Sequence, residues 1–250
     1  MSLLAHQARL MGSTSGAFRE VLLSMSPLLY LPMDEAEGSV AHALAGADGT
    51  YLGSPTLGRP PILPGDAGTS IGTANNANRV RATRVLTGGG EFTCCIALRT
   101  SHTGSQMLIL DQDVGAGSTP RHFLAINRSS STTAVGVHGS VCSFGHNPPS
   151  NSNQHAYALG AGLTDGAPHL LVWGRNALGS PFVDVDGVAQ TMTGNTLQGT
   201  IWGGTYWGIG QSPLYAAGLY VGDLAHFACW QRTLSPEERA ELAVASGLAA

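Results

Sequence analysis

The chain has 250 residues, a net charge of -4, 43% hydrophobic positions and only 11% charged ones. All 12 of its basic residues are arginine, which excludes a Walker-type phosphate loop and Schiff-base chemistry, because both need a lysine amine. The arginines form no face broad enough for nucleic acid, and no run is apolar and long enough to span a membrane.

Residues 1–25 differ in texture from the rest. "MSLLAHQARLMGSTSGAF" ends in a Gly/Ser/Thr linker, and "FREVLLSM" sets Phe18, Val21, Leu22 and Met25 at helical spacing. This segment reads as a partly helical N-terminal arm or attachment segment, with a frayed terminus as the plainer alternative. It lacks the basic-then-apolar layout of a signal peptide, so the expectation is assembly in a cytoplasm. Residues 26–250 read as one domain, since sandwiches of this length are commonly single.

From Pro27 onward, most of the chain's 34 glycines and all 13 of its prolines help break it into short apolar runs. Strands are predicted at "PLLYLPMDE", "TYLG", "NRVRATRVL", "EFTCCIALRT", "SQMLILDQD", "RHFLAINRS", "TTAVGVHGSVCSFG" and "HAYALGAG". "PHLLVWGRN" and "SPFVDVDGVAQTM" read as a hairpin pair, the second turning at Asp186-Gly187, a dipeptide suited to positive φ. "TYWGIGQ" and "GDLAHFACWQ" complete the set. A dozen or so short strands with turn signals between them predict an all-β fold, a two-sheet antiparallel β-sandwich. In the last strand strict alternation puts Ala225, Phe227 and Cys229 on one face and Leu224, His226, Ala228 and Trp230 on the other. Both faces are largely apolar, so the strand reads as central. A short C-terminal helix then begins with Ser235 as N-cap, Pro236 in the first position and Glu238 completing a capping box. Gly247 stops it, and Leu242 and Leu248 are the residues expected to seat it.

Tests for chemistry return little. "FVDVDG" places Asp184 and Asp186 on one face of a hairpin, read as solvent-facing, and retaining hydrolysis needs two carboxyls about 5 Å apart across a cleft. No G-x-S-x-G is present. "HGSVCSFGH" spaces His138, Cys142 and His146 in steps of four, without a fourth zinc ligand. Cys94, Cys95, Cys142 and Cys229 read as free buried thiols, in keeping with a reducing cytosol. The segment "IWGGTYWGIGQSPLYAAGLY" is richer. Trp202, Tyr206, Trp207 and Tyr215, with Tyr220, either present rings to a glycan or protein partner or, for Trp207 and Ile209, fill the core.

Three landmarks, "YLPMDEAEGS", "DGAPHLLVWGRNALGSPFVDVDGV" and "GDLAHFACWQRTLSPEE", resemble in order the opening strand, hairpin and closing strand-to-helix turn of the concanavalin A-like lectin/glucanase superfamily. The likeness is to its laminin-G/pentraxin-like form. Preceded by "FREVLLSM", the opening resembles such domains in tailed-bacteriophage structural proteins. The resemblance implies a jelly roll and a non-enzymatic virion structural protein of the capsid surface or tail. Its implied partners are other virion proteins, reached through the N-terminal arm, and host-surface glycan; the apolar faces of the last strand add an expected homo-oligomer. A glycan-binding adhesin and a glycoside hydrolase are the alternatives, the latter without the superfamily's E-x-D-x-E strand. No cofactor is expected except calcium, which the superfamily often binds and for which Asp34, Glu35, Asp111, Asp113 and Asp223 offer oxygens.

Overall fold

The computed structural model describes residues 16–74, 78–103, 107–113, 121–127, 141–147, 152–158, 160–194, 199, 201–212 and 218–249; the side chains of 121, 141–147, 152–155 and 157 lie outside that description. The fold is an all-β sandwich of two antiparallel sheets, with two short helices among the described residues. The first sheet runs β14 (Val188–Ala189), β13 (Pro181–Val185), β12 (Pro168–Arg175), β7 (Phe92–Arg99), β17 (Gly222–Trp230), β5 (Ser70–Thr73), β4 (Thr56–Arg59), with β1 (Leu29–Leu31) also pairing with β17. The second runs β15 (Thr193–Gly194), β11 (Ser152–Ala158), β10 (Val141–Asn147), β9 (Arg121–Ile126), β8 (Met107–Gln112), β16 (Tyr206–Ile209), β6 (Arg79–Thr83), β3 (Gly49–Leu52), β2 (Val40–Ala41).

The core lies between the sheets. Phe92, Cys94, Ile96 and Leu98 of β7 and Leu171 and Trp173 of β12 meet Val80, Ile109, Leu124, Trp207 and Ile209 of the second sheet. Edge-on aromatic contacts run through it: Phe92 against Trp202 at 4.9 Å, and Trp207 against Phe227 at 5.8 Å. β7 and β12 are long and buried on both faces, because helices cover the outer side of the first sheet.

Strand β17 departs from simple alternation. A bulge lies between Ala225 and Ala228 in its pairing with β7, and His226 takes φ 56°. The extra residue switches the faces: Leu224, Phe227 and Cys229 point into the inter-sheet core, while Ala225, Ala228 and Trp230 point outward. The alternation expected from the sequence therefore fails at His226, whose ring is held by partners outside the sheet. Tyr30 Oη lies 2.8 Å from Nδ1 and Asp66 Oδ2 lies 2.6 Å from Nε2.

Helix α1 (Ala17–Ser24) and helix α2 (Pro236–Ser246) cover part of the outer face. Phe18, Val21, Leu22 and Met25 pack with Cys95, Val172, Ala228, Trp230 and Leu242 in one buried cluster. Trp230 Nε1 donates to the Met25 carbonyl at 3.0 Å, pinning the end of α1. Residues 17–25 thus belong to the packed body rather than to a separate arm; residues 1–15 lie outside the described residues. In α2 the Ser235 Oγ accepts from the Glu238 N–H at 3.2 Å, and Glu238 Oε2 accepts from the Ser235 N–H at 2.8 Å. This is the capping box expected from the sequence, and Gly247 ends the helix over Leu242 and Leu248.

Candidate functional site

Among its described residues the aromatic segment does not form an open platform. Trp202 and Trp207 are buried in the inter-sheet core, so neither offers a ring face to a sugar. They sit there because an indole between two sheets removes more apolar surface from water than any other side chain can. Tyr206 is half-buried, with the Arg81 guanidinium 3.6 Å from its ring centroid. Tyr220 is buried, and Tyr215 lies outside the described residues. Its described members are not assembled on one surface.

The other acidic residues are also committed. Asp184, read as solvent-facing, is buried and accepts from Arg239 Nε of α2 at 2.6 Å, because α2 lies across the outer face of β13. Asp186 takes His169 Nδ1 at 2.7 Å. Of the calcium donors offered by the sequence, Asp34 pairs with Arg19, Glu35 accepts from the His42 N–H and the Tyr51 hydroxyl, and Asp113 accepts from the Thr205 and Tyr206 N–H groups. Asp111 accepts from the Gln112 N–H. These residues do not converge, and among the described residues no three His, Cys, Asp or Glu side chains group as a metal site. His138 and the side chains of Cys142 and His146 lie outside the description; Cys94, Cys95 and Cys229 are free and buried, and burial pushes the thiols of Cys94 and Cys95 up.

The Tyr30–His226–Asp66 row has the order of a proton relay, but it is sealed. His226 is fully buried, with Phe18 edge-on to its ring at 5.2 Å. Burial opposes the charge on Asp66, yet the hydrogen bond and charge of His226, the Gly68 N–H and Arg19 together hold it below the usual carboxylate value. Burial pushes the Tyr30 phenol up, so it stays protonated, with its Oη within hydrogen-bond distance of Nδ1. The row holds the bulge, and its Tyr30 and His226 are fully buried.

The open site lies on the same outer face, at the opposite end of β17 from Trp230. A groove of about 440 Å³ is lined by Arg59, Arg99, Thr100, Ser101, His102, Gly166, Val221, Gly222 and Asp223. A second lobe of about 230 Å³ shares Arg59, Val221, Gly222 and Asp223 and extends over Thr56, Gly72 and Thr73. At the centre Asp223 accepts from Arg59 Nε at 2.7 Å and Nη2 at 3.3 Å, and from Arg99 Nε at 3.1 Å and Nη2 at 2.7 Å. The carboxylate is 5% exposed, whereas Arg59 is 45% and Arg99 28% exposed. Its hydrogen bonds and charge raise the Arg59 pKa. Arg99 stands beside Asp223 by register, since the two are partners across β7 and β17. Arg59 reaches it from β4 across β5, where a Cβ on Gly72 would lie 3.0 Å from the Arg59 Cδ. Gly222, at φ 152°, forms the floor; a Cβ there would strike the Arg99 carbonyl and lie 3.0 Å from the Thr100 Cβ.

Sequence reasoning reached Asp223 only as a calcium donor and missed both arginines. They lie 164 and 124 residues away from it, and the only local hints are glycines in two strands, Gly72 and Gly222.

No protein-family model matches the chain, and no curated protein matches it in sequence. Solved structures do match in fold. The botulinum neurotoxin serotype G binding domain superposes with TM-score 0.62 at 11% identity, covering 88% of this chain and 51% of that one. The chain thus spans about half the length of the toxin binding domain it matches. Domain 4 of AbnA, a GH43 extracellular arabinanase from Geobacillus stearothermophilus solved in complex with arabinotriose, gives TM-score 0.58 at 13% identity, covering 87% of this chain and 98% of that domain. Trypanosoma rangeli sialidase in complex with the inhibitor DANA gives 0.55 at 14% identity over 87% of this chain and 32% of the enzyme. The shared feature is the β-sandwich.

Proposed function

We propose that the chain is a non-catalytic, lectin-like binding module that holds a glycan in the groove over Asp223. The observation that carries this reading is the groove itself. It is open, polar and built on a rigid sheet, and it presents two guanidinium groups where the buried carboxylate needs only one for neutrality. The neighbours support it by kind: one is a toxin binding domain and another a domain holding arabinotriose. Hydrolysis is disfavoured because the one carboxylate among the groove's described lining residues, Asp223, already accepts four N–H bonds. The module works without a cofactor in this reading, calcium included.

The setting we propose is the surface of a tailed-bacteriophage virion, capsid or tail. Its support is the three ordered sequence landmarks. With residues 17–25 packed into the body, attachment to other virion proteins falls to residues 1–15.

A groove-filling variant of the whole chain tests the site. Ser101 is an exposed lining residue, so Ser101→Trp should fold. On a glycan array run with and without EDTA, the wild type should give hits that also raise its melting temperature, and the variant should lose them. An array without hits, or hits that survive Ser101→Trp, would refute the reading.

A further inference from the structure

We infer that the groove over Asp223 selects acidic saccharides, sugars carrying a carboxylate or a sulfate, through the outward edges of Arg59 and Arg99. This rests on the reading of the chain as a glycan-binding module and adds the charge of its ligand.

The first argument is charge. A nearly buried carboxylate must be paired, and one guanidinium in a bidentate contact does that. Here two guanidinium groups share one carboxylate, which leaves a net positive charge beside an open groove. The acidic residue nearest the rim in sequence, Asp165, pairs with His169 and, among the described residues, with neither arginine. Its Oδ1 already accepts from the Ala167 N–H at 2.7 Å and from His169 Nε2 at 3.0 Å.

The second argument is donor geometry. A guanidinium has about five N–H donors, and Arg59 and Arg99 each direct only Nε and Nη2 at Asp223. Both Nη1 groups are left, with no protein acceptor among the described residues. A planar fork held by its inner edge presents its outer edge in a fixed direction, the arrangement that receives an oxyanion.

The third argument is what the groove lacks. Among its described lining residues there is no Trp, Tyr or Phe, and Val221 is the only large apolar side chain. A neutral sugar would find hydroxyl and carbonyl partners but no stacking surface, so charge-assisted hydrogen bonds are the strong contacts on offer. The main lobe, about 440 Å³, is of a size for a short saccharide. Arg59 and Arg99 are the only arginines among the groove's described lining residues, too few to track a nucleic-acid backbone.

The experiment compares matched glycan pairs against the whole chain: a uronic-acid oligosaccharide with its carboxyl-reduced form, and a sulfated oligosaccharide with its desulfated form. The acidic member should bind about tenfold tighter or more, and the preference should shrink as salt rises from about 0.05 to about 0.5 M. Whichever pair shows the preference identifies the anion. Arg59→Gln should abolish it while leaving Asp223 paired with Arg99, and Arg59→Lys should keep only part of it. Equal binding of acidic and neutral members, or a preference unchanged in Arg59→Gln, overturns the inference. Binding confined to neutral sugars overturns it while leaving the binding-module reading intact; no binding to any sugar removes both. Should Arg59→Gln fail to fold, the wild-type pairs and Arg59→Lys still decide.

Discussion

Two neighbouring leucines in α1 give a sharp test of whether the N-terminal helix belongs to the domain. Leu22 is fully buried against the outer face of the first sheet, whereas Leu23 is 39% exposed. Truncating Leu22 to alanine removes three carbons from a packed site, which at about 0.8 kcal/mol per methylene is about 2.4 kcal/mol of transfer free energy. The hole between Phe18, Trp230 and Leu242 adds to this, because neighbours in β7 and β17 are held by sheet hydrogen bonds and cannot collapse into it. The sum is about 3–4 kcal/mol, inside the range for buried Leu→Ala changes. For a chain of 250 residues each kcal/mol lowers the melting temperature by about 2–4 °C, so Leu22→Ala should melt about 6–16 °C below wild type. Leu23→Ala, on the same helix with the same change in propensity, should stay within about 0.5 kcal/mol of wild type. Thermal unfolding followed by near-ultraviolet circular dichroism reads both. If Leu22→Ala melts with the wild type, or the two variants fall equally, α1 is an appendage and its place in the core account is wrong.

Two more outcomes follow from particular contacts. His169 lies between Asp186 and Asp165, and chiefly its hydrogen bond to Asp186 raises its pKa above the usual 6.5. Its contribution is therefore complete below that value and is lost as pH rises through the raised folded pKa, so the melting-temperature gap between wild type and His169→Asn should close from pH about 6 to about 9; a gap that widens would refute the sign. Gly174 of β12 has no room for a side chain: a Cβ would strike the Phe92 carbonyl and come 2.6 Å from the Phe182 ring. Gly174→Ala should cost about 1–3 kcal/mol and lower the denaturant midpoint, and an unchanged midpoint would show that β7 and β12 are less closely apposed than described.

How much of this was readable from the chain depends on the range of the forces involved. The box at Ser235 and Glu238 spans three residues, and a cap is decided by its own atoms, so it was legible. The buried strands β7 and β12 were legible because runs such as "FTCCIALR" and "PHLLVWGR" carry apolar residues on both faces. The bulge in β17 was not. Nothing within the strand calls for a left-handed histidine; Tyr30, 196 residues earlier, and Asp66, 160 residues earlier, hold it there. Asp184 looked solvent-facing because its arginine comes from α2, 55 residues on. The aromatic cluster was visible as a cluster, but a sequence does not say which side of a sheet is wet. For Trp202 and Trp207 the inner side won, as it usually does for the largest apolar surfaces.

The arginine groove shows the same limit from the functional side, and its position follows from the fold. The outer face of the first sheet is apolar where α1 and α2 lie on it, at Ala225, Ala228, Trp230, Cys95 and Val172. At the start of β17 and the end of β7 the same face becomes Asp223 and Arg99, in register and beyond the helices. A helix laid there would bury an ion pair and the free edges of two guanidinium groups, at a desolvation cost that apolar contact would not offset. The chain instead leaves that end bare and brings in Arg59 across Gly72, adding positive charge where neutrality was already met. Arg59 satisfies Asp223 Oδ1, which Arg99 does not reach, but its charge exceeds what neutrality needs. In the reading proposed above, an acidic saccharide at the outer edge is what that surplus charge meets.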